Sequence, residues 1–145
     1  MIKLYTVGFA KKSAEEFFTI LKKARIKTLV DVRLNNVSQL AGFTKKNDLK
    51  FFLKEILGAN YEHVPELAPT KEILDSYKKK QISWEQYTKK YEYLLNTRNI
   101  GFALSKIDLN DACFLCSEPT AGKCHRRLAA EYLQRSDANI SILHL

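Results

Sequence analysis

The chain reads as an α/β protein: a single domain, residues 1–145, built on a mostly parallel sheet of about five strands with helices on both faces. Three observations predict this. Short apolar, β-branched runs alternate with stretches whose apolar residues recur at helical spacing, the pattern of strands joined by helices. Ser13-Ala14-Glu15-Glu16 and Ser83-Trp84-Glu85-Gln86 have the form of capping boxes, so they mark where two of the helices begin. With 145 residues, 46% of them apolar, the chain has a common domain size and enough apolar material for one packed core.

Residues 2–7 form the first strand, closed by Gly8, and the helix after Ser13 carries Phe17, Phe18, Leu21 and Ala24 along one side. Residues 28–32 are the second strand. A helix of that length between two strands predicts parallel neighbours with a right-handed crossover. Residues 35–44 show no period and read as an irregular loop. Asn47 is placed to cap a helix with Leu49, Phe52, Leu53, Ile56 and Leu57, which Gly58 stops. Residues 61–64 give a short third strand. Pro65-Glu66-Leu67-Ala68-Pro69 must then turn, because two prolines so close cannot continue a helix. Thr70 starts a short helix. In the helix after Ser83, Trp84, Tyr87, Tyr91, Leu94 and Leu95 make an apolar stripe that reads as core. Residues 111–116 are the fourth strand, residues 128–133 lie on the last helix, and residues 139–143 close the sheet.

In parallel sheets the binding crevice lies beyond the carboxyl ends of the strands. This singles out Gly8 and Phe9, Asp31 and Arg33, Glu66, and Cys116 with Glu118. The formal charge, 24 basic against 16 acidic residues, is +8, which suits a small anionic or phosphorylated ligand, nucleic acid or an acidic protein surface. The lysines fall in short clusters on several helices, without a long run or interleaved aromatics, as in a solvated surface. No apolar run reaches the ~20 residues that span a bilayer, and nothing at the start resembles a secretory leader, so a cytoplasmic location and no membrane partner are expected. Three cysteines within residues 113–124 are odd in number and clustered, unlike a disulfide framework. Reactivity, metal binding or burial must account for them.

Residues 113–127 concentrate the chemistry: an apolar strand, a loop with Pro119 and Gly122, then a helix start. Such a junction aims backbone N–H groups and the positive helix end at one place, which suits an anion or a thiolate. If Cys124 caps or opens the helix, that dipole together with Lys123, His125 and Arg126 would favour its thiolate. Arg126 shares a helical face with Ala129, Ala130 and Leu133 and should point inward, with Arg127 outward above Glu131. An inward arginine here is either a fork for phosphate, sulfate or carboxylate, or half of an ion pair with Asp31 or Glu118. His125 could be a general acid or base, a ligand, or a half-buried residue bonded to a carbonyl. Strand alternation sends Cys116 toward the crevice and Cys113 to the opposite face. Cys113, Cys116, Cys124 and His125 are zinc-ligand types, but an odd offset in a straight strand splays the first pair apart. No metal and no cofactor is expected.

Tyr5-Thr6-Val7-Gly8-Phe9, Thr28-Leu29-Val30-Asp31-Val32-Arg33, His63-Val64-Pro65-Glu66-Leu67, and Phe114-Leu115-Cys116-Ser117-Glu118 ending in Cys124-His125-Arg126 resemble the bacterial and archaeal domain-of-unknown-function family 488. The resemblance spans nearly the whole chain and implies a compact α/β fold with an uncharacterised activity. Three places depart from the family pattern. Phe9-Ala10 stand where histidine and serine are usual, Leu34-Asn35-Asn36-Val37 replace a proline-containing stretch, and Ala68-Pro69 replace a glycine pair. The Asp31-Val32-Arg33 strand and the strand ending at Cys116 are also similar to pieces of rhodanese-like domains.

The function expected from these residues is an enzyme with a cysteine and arginine anion site, acting on a phosphorylated, nucleotide-like or sulfur-bearing substrate. Cys116 or Cys124 would be the nucleophile and Glu118 or His125 the proton carrier. Arg126 would hold the anion, while Asp31, Arg33, Glu66 and Gly8 shape the binding crevice. The alternatives are a basic nucleic-acid-binding or accessory module with a structural Cys-His-Arg segment, and a small structural domain held by a buried ionic network.

Overall fold

A computed structural model describes residues 1–37 and 41–145. Its elements run β1 (Ile2–Gly8), α1 (Ala14–Lys23), β2 (Thr28–Asp31), α2 (Lys46–Leu57), β3 (Asn60–His63), α3 (Lys71–Lys78), α4 (Trp84–Thr97), α5 (Ile100–Ala103), β4 (Ala112–Cys116), α6 (His125–Ser136) and β5 (Ile140–His144). All the strands are parallel, in the spatial order β3-β2-β4-β1-β5. The α/β class and the five strands are those the sequence predicts.

The pairing of β1 with β2 is not. The two are parallel, but β4 lies between them: Ala112 is in register with Leu4 on one side and with Thr28 on the other. The reason is burial. Every residue of β4, Ala-Cys-Phe-Leu-Cys, is buried, and a strand with no polar side chain belongs at the centre of a sheet covered on both faces.

The helix starts show which local signals decide. Ser13, Thr70 and Ser83 are N-caps whose hydroxyls accept from the N–H groups of Glu16, Ile73 and Gln86. Only Ser83 completes a reciprocal box, with its own N–H donating to Gln86 Oε1 at 2.8 Å. At Ser13 the hydroxyl instead donates to Glu16 Oε1. Asn47 does not cap α2. The helix begins one residue before it, after Lys45, whose side chain makes no capping bond. Gly58 does end α2, in the left-handed conformation at φ 67° that glycine adopts without strain. Within the loop expected over residues 35–44, Gly42–Thr44 forms a turn of 3-10 helix, and residues 38–40 lie outside the described residues. Pro65–Leu67 is likewise a 3-10 turn.

The sheet separates two apolar layers. Leu4, Val32, Phe114, Cys116 and Cys124 lie in the layer with α4 and α6, where Tyr87, Tyr91 and Leu95 are buried as the apolar stripe predicts. Val7, Leu29, Cys113 and Leu115 pack with Phe17 and Leu21 of α1 and Leu53 of α2. Tyr91 carries its hydroxyl into the core and donates it to the Leu67 carbonyl. No helix among the described residues is long and apolar enough to cross a membrane.

Candidate functional site

Alternation along β4 decides which cysteines meet. Cys113 is buried in the α1–α2 layer, where burial drives its thiol well above the ordinary range and leaves it an inert core residue. Cys116, at the end of the strand, faces the other layer. Cys124 is the N-cap of α6, extended at φ −136°, and its side chain makes no capping bond. The seven residues between them fold back and bring the two Sγ atoms together, with Cα atoms 7.7 Å apart. Both cysteines are almost wholly buried, at 1% and 2% exposure.

One residue further along α6, Arg126 points inward and is 0% exposed, while Arg127 faces out beside Glu131. The Arg126 guanidinium donates Nε to Thr6 Oγ1 at 3.2 Å, and Nη1 to both Cys116 Sγ at 3.0 Å and the Glu118 carbonyl at 2.7 Å. Its Nη2 is buried without a partner among the described residues. The hydroxyl and the carbonyl are neutral, and the Cys116 sulfur is the one acceptor of the three that could carry a charge. Of the two roles open to an inward arginine, the ion pair with Asp31 or Glu118 does not form. Burial holds the pKa of Arg126 below its ordinary value, the signature of a desolvated cation short of counter-charge. Lys12 adds to the positive field. Its Nζ donates to the Gly8 carbonyl at 2.8 Å, and its pKa is lowered by burial and then by Arg126.

Asp31 serves a different arginine. Its carboxylate takes Nε and Nη2 of Arg33, each at 2.8 Å, as a buried fork, together with the Arg33 N–H and the Tyr61 hydroxyl at 2.6 Å. Arg33 Nη2 also donates to the Thr44 carbonyl, and its Cζ lies 5.3 Å from the centre of the Phe9 ring. Asn36 and His63 bind the same network, through the Tyr61 hydroxyl and the Arg33 carbonyl. Arg33 Nη1, like Arg126 Nη2, is buried without a hydrogen-bond partner among the described residues.

The remaining predicted residues fall in three places. His125 sits beneath the site, with Nε2 bonded to the Val32 carbonyl at 2.7 Å and its ring edge-on to Tyr91. Glu118 reaches Arg126 through its carbonyl, while its own residue is exposed. Glu66 is exposed too, and its carbonyl accepts from Arg98 Nη1. Thr6, His144 and Tyr61 were not singled out by sequence. Thr6 Oγ1 accepts from Arg126 and lies 2.7 Å from His144 Nδ1, in hydrogen-bond contact with the imidazole. The available signal was a threonine between Leu4 and Val7 on a strand buried from Leu4 onward.

Gly8 is where β1 meets this loop. The N–H groups of Phe9 and Ala10 donate to the carbonyls of Cys116 and Ser117, and a Cβ on Gly8 would stand 1.5 Å from the Glu118 carbonyl oxygen and 2.9 Å from Arg126 Nη1. Gly8→Ala is therefore expected to cost about 3 kcal/mol or to displace residues 117–118 from Arg126. Gly122→Ala, with open space around the added carbon, should leave thermal unfolding unchanged. A Gly8→Ala melting curve matching that control would refute the close approach.

His125 also gives the fold a pH dependence. Burial lowers its pKa from 6.5 to about 4, opposed by the bond to Val32. The folded protein takes up this proton later than the unfolded chain. Stability is therefore full above about pH 6.5 and falls as the pH drops toward 4, by about 3 kcal/mol in total. Urea midpoints measured at pH 7.5 and 4.5 should show this loss, and His125→Gln should shrink it.

Among the described residues, no three or more His, Cys, Asp or Glu side chains are grouped to hold a metal ion, and Cys113 lies on the wrong face to join Cys116 and Cys124. A family model described as "Domain of unknown function DUF488" matches residues 13–133. No curated protein and no solved structure matches the chain.

Proposed function

The chain belongs to the family described as Domain of unknown function DUF488, and on that premise we propose that it is an enzyme whose Cys116–Cys124 pair and Arg126 act on a small anionic substrate, phosphorylated, nucleotide-like or sulfur-bearing. The observation that carries this reading is Arg126: wholly buried, one nitrogen on Cys116 Sγ and another free, with no carboxylate in contact among the described residues. A cation that has given up water without gaining an anion is poised to take one, either the Cys116 thiolate or an oxyanion of the substrate. Reduced Cys116 would be the nucleophile, its thiolate favoured by Nη1. Cys124, at the N-terminus of the twelve-residue α6, is the second thiol within reach. Near-complete burial of both sulfurs favours a small reacting group over a macromolecule.

The test is alkylation of the reduced protein across pH 5 to 9, mapped cysteine by cysteine, with and without inorganic sulfate. The expected result is a Cys116 or Cys124 reaction with its midpoint below the ~8.5 of a free thiol and slowed by sulfate, while Cys113 stays silent. Ordinary midpoints at both residues, indifferent to sulfate, would sink the reading. The net charge of +8 favours a second reading, a module that binds nucleic acid through its lysine-rich surface. Affinity for a nucleic acid falling steeply with added salt would support it.

A further inference from the structure

We propose that His144 is the proton carrier of the Arg126 site: its imidazole takes up a proton when an oxyanion binds at Arg126 Nη2 and gives it to the departing group. This rests on reading Arg126 as the anion holder and adds the residue that balances its charge. β5 and β1 pair so that His144 stands opposite Thr6, and its Nδ1 lies 2.7 Å from Thr6 Oγ1, which also accepts from Arg126 Nε. In a planar guanidinium Nη2 shares one edge with Nε and the other with Nη1. An oxyanion on Nη2 therefore settles between the Thr6–His144 contact and Cys116, whose sulfur accepts from Nη1. His144 is exposed, whereas Thr6, Arg126 and His125 are buried, so it is the member of this group that exchanges protons with water. His125 is tied to the Val32 carbonyl, and Glu118 meets Arg126 through its carbonyl.

The need for a proton comes from charge. Catalysis through Cys116 brings a thiolate to Nη1 and an oxyanion to Nη2 of one guanidinium. With a dianion, three negative charges face the two positive ones of Arg126 and Lys12, whose Nζ is held by the Gly8 carbonyl beside the site. A protonated His144 supplies the third. Burial and then the Arg126 charge hold the pKa of His144 below its ordinary value, opposed by Glu131 and aided by Arg127, so the ring is neutral at pH 7. An oxyanion on Arg126 cancels the second of these causes, and the proton goes on. Both ring nitrogens are then donors. Nδ1 donates to Thr6 Oγ1, and the threonine, its lone pairs taken by Nδ1 and Arg126 Nε, turns its own proton to the oxyanion. As the Cys116 sulfur bonds to the substrate, the bond to the departing oxygen or sulfur breaks with its electron pair, and that atom takes the His144 proton. The imidazole ends neutral, as it began.

The experiment is proton NMR of the three histidines of the full chain in reduced dithiothreitol, titrated from pH 5 to 8 with and without inorganic sulfate. Calorimetry gives the sulfate affinity at both ends of that range. The His144 resonance is the one missing from His144→Gln. Its midpoint is expected below 6.5 in the free protein. Saturating sulfate should raise its proton affinity about tenfold, so that sulfate binds about tenfold more tightly at pH 5 than at pH 8. His144→Gln should lose most of that difference, and His63→Gln should keep it. Arg126→Met should raise the midpoint of the free protein and make it indifferent to sulfate. A change in the proton affinity of His144 under about twofold overturns the proposal, even where sulfate binds better at low pH, because the proton is then on Cys116. If Arg126→Met abolishes binding in that case, the proton carrier is wrong while the anion site stands. No sulfate binding at any pH removes both.

Discussion

Replacing Asp31 with alanine is expected to cost about 3–5 kcal/mol, and to lower the melting temperature by about 10 °C. Asp31 is 0% exposed and receives four hydrogen bonds, two of them from the Arg33 fork and one from Tyr61. Without the carboxylate, the Arg33 guanidinium has the Thr44 carbonyl and the Phe9 ring as neighbours, and a buried charge with neutral partners pays most of its desolvation unrecovered. The bond pattern also fixes the order of a series. Asp31→Asn keeps the shape and loses the charge, so it should fall between the wild type and Asp31→Ala. Adding Arg33→Met to Asp31→Ala should recover part of the loss, because the stranded charge leaves with it. Urea unfolding measures all four proteins. A cost below about 1 kcal/mol for Asp31→Ala would mean that Arg33 escapes to water and that the network does not hold the strand ends together.

Arg126→Met should behave in the opposite way, changing the chemistry strongly and the stability little. Methionine fills much of the same volume and removes a desolvated cation that has no anionic partner. Giving up the bonds to Thr6 and Glu118 costs about 1–3 kcal/mol, which losing the buried charge offsets or exceeds. Unfolding should therefore be unchanged or shifted to higher denaturant. Alkylation of reduced Cys116 at pH 7 should slow at least tenfold, since its thiolate has lost the adjacent cation, and sulfate should no longer protect it. If stability drops sharply while the alkylation profile is unmoved, Arg126 is a structural tie and has no part in an anion site. The contrast with Arg33 is the informative feature: the same residue type, buried at the same end of the sheet, is compensated by Asp31 in one case and uncompensated in the other.

What could be read from the sequence was local. Ser13, Thr70 and Ser83 announce helix starts because a cap is satisfied within three residues. Gly58 announces an end because the left-handed residue is the signal itself. The inward turn of Arg126 follows from 3.6-residue spacing, and the separation of Cys113 from Cys116 from two-residue spacing. Asn47 misled, because a strong capping residue does not fix the boundary when the helix can begin one residue earlier without a side-chain cap. The short α5, capped by Asn99, is only four residues long and carries no periodicity to detect. Strand order was beyond reach in principle: no local pattern says that β4 enters between β1 and β2. For the same reason the meeting of Cys116 and Cys124 across a loop, and the choice of Thr6 as an Arg126 partner 120 residues away, appear only once the chain is folded. The residue types of the site were legible, but their partners were not.

The strand order also sets a timetable. β2 and β3 are adjacent in both sequence and space, so they can pair early with α2 to cover them. Among the described residues β1 has β4 and β5 as its neighbours, the last two of the five strands to be made. Until residues beyond 112 leave the ribosome, β1 has no native edge to join, and an apolar strand must wait unpaired. Slow closure of such distant contacts is expected to dominate the refolding rate. Once those residues have emerged, all three thiols stay accessible until β4 pairs, so the central sheet and the cysteine–arginine site are completed in the same late event.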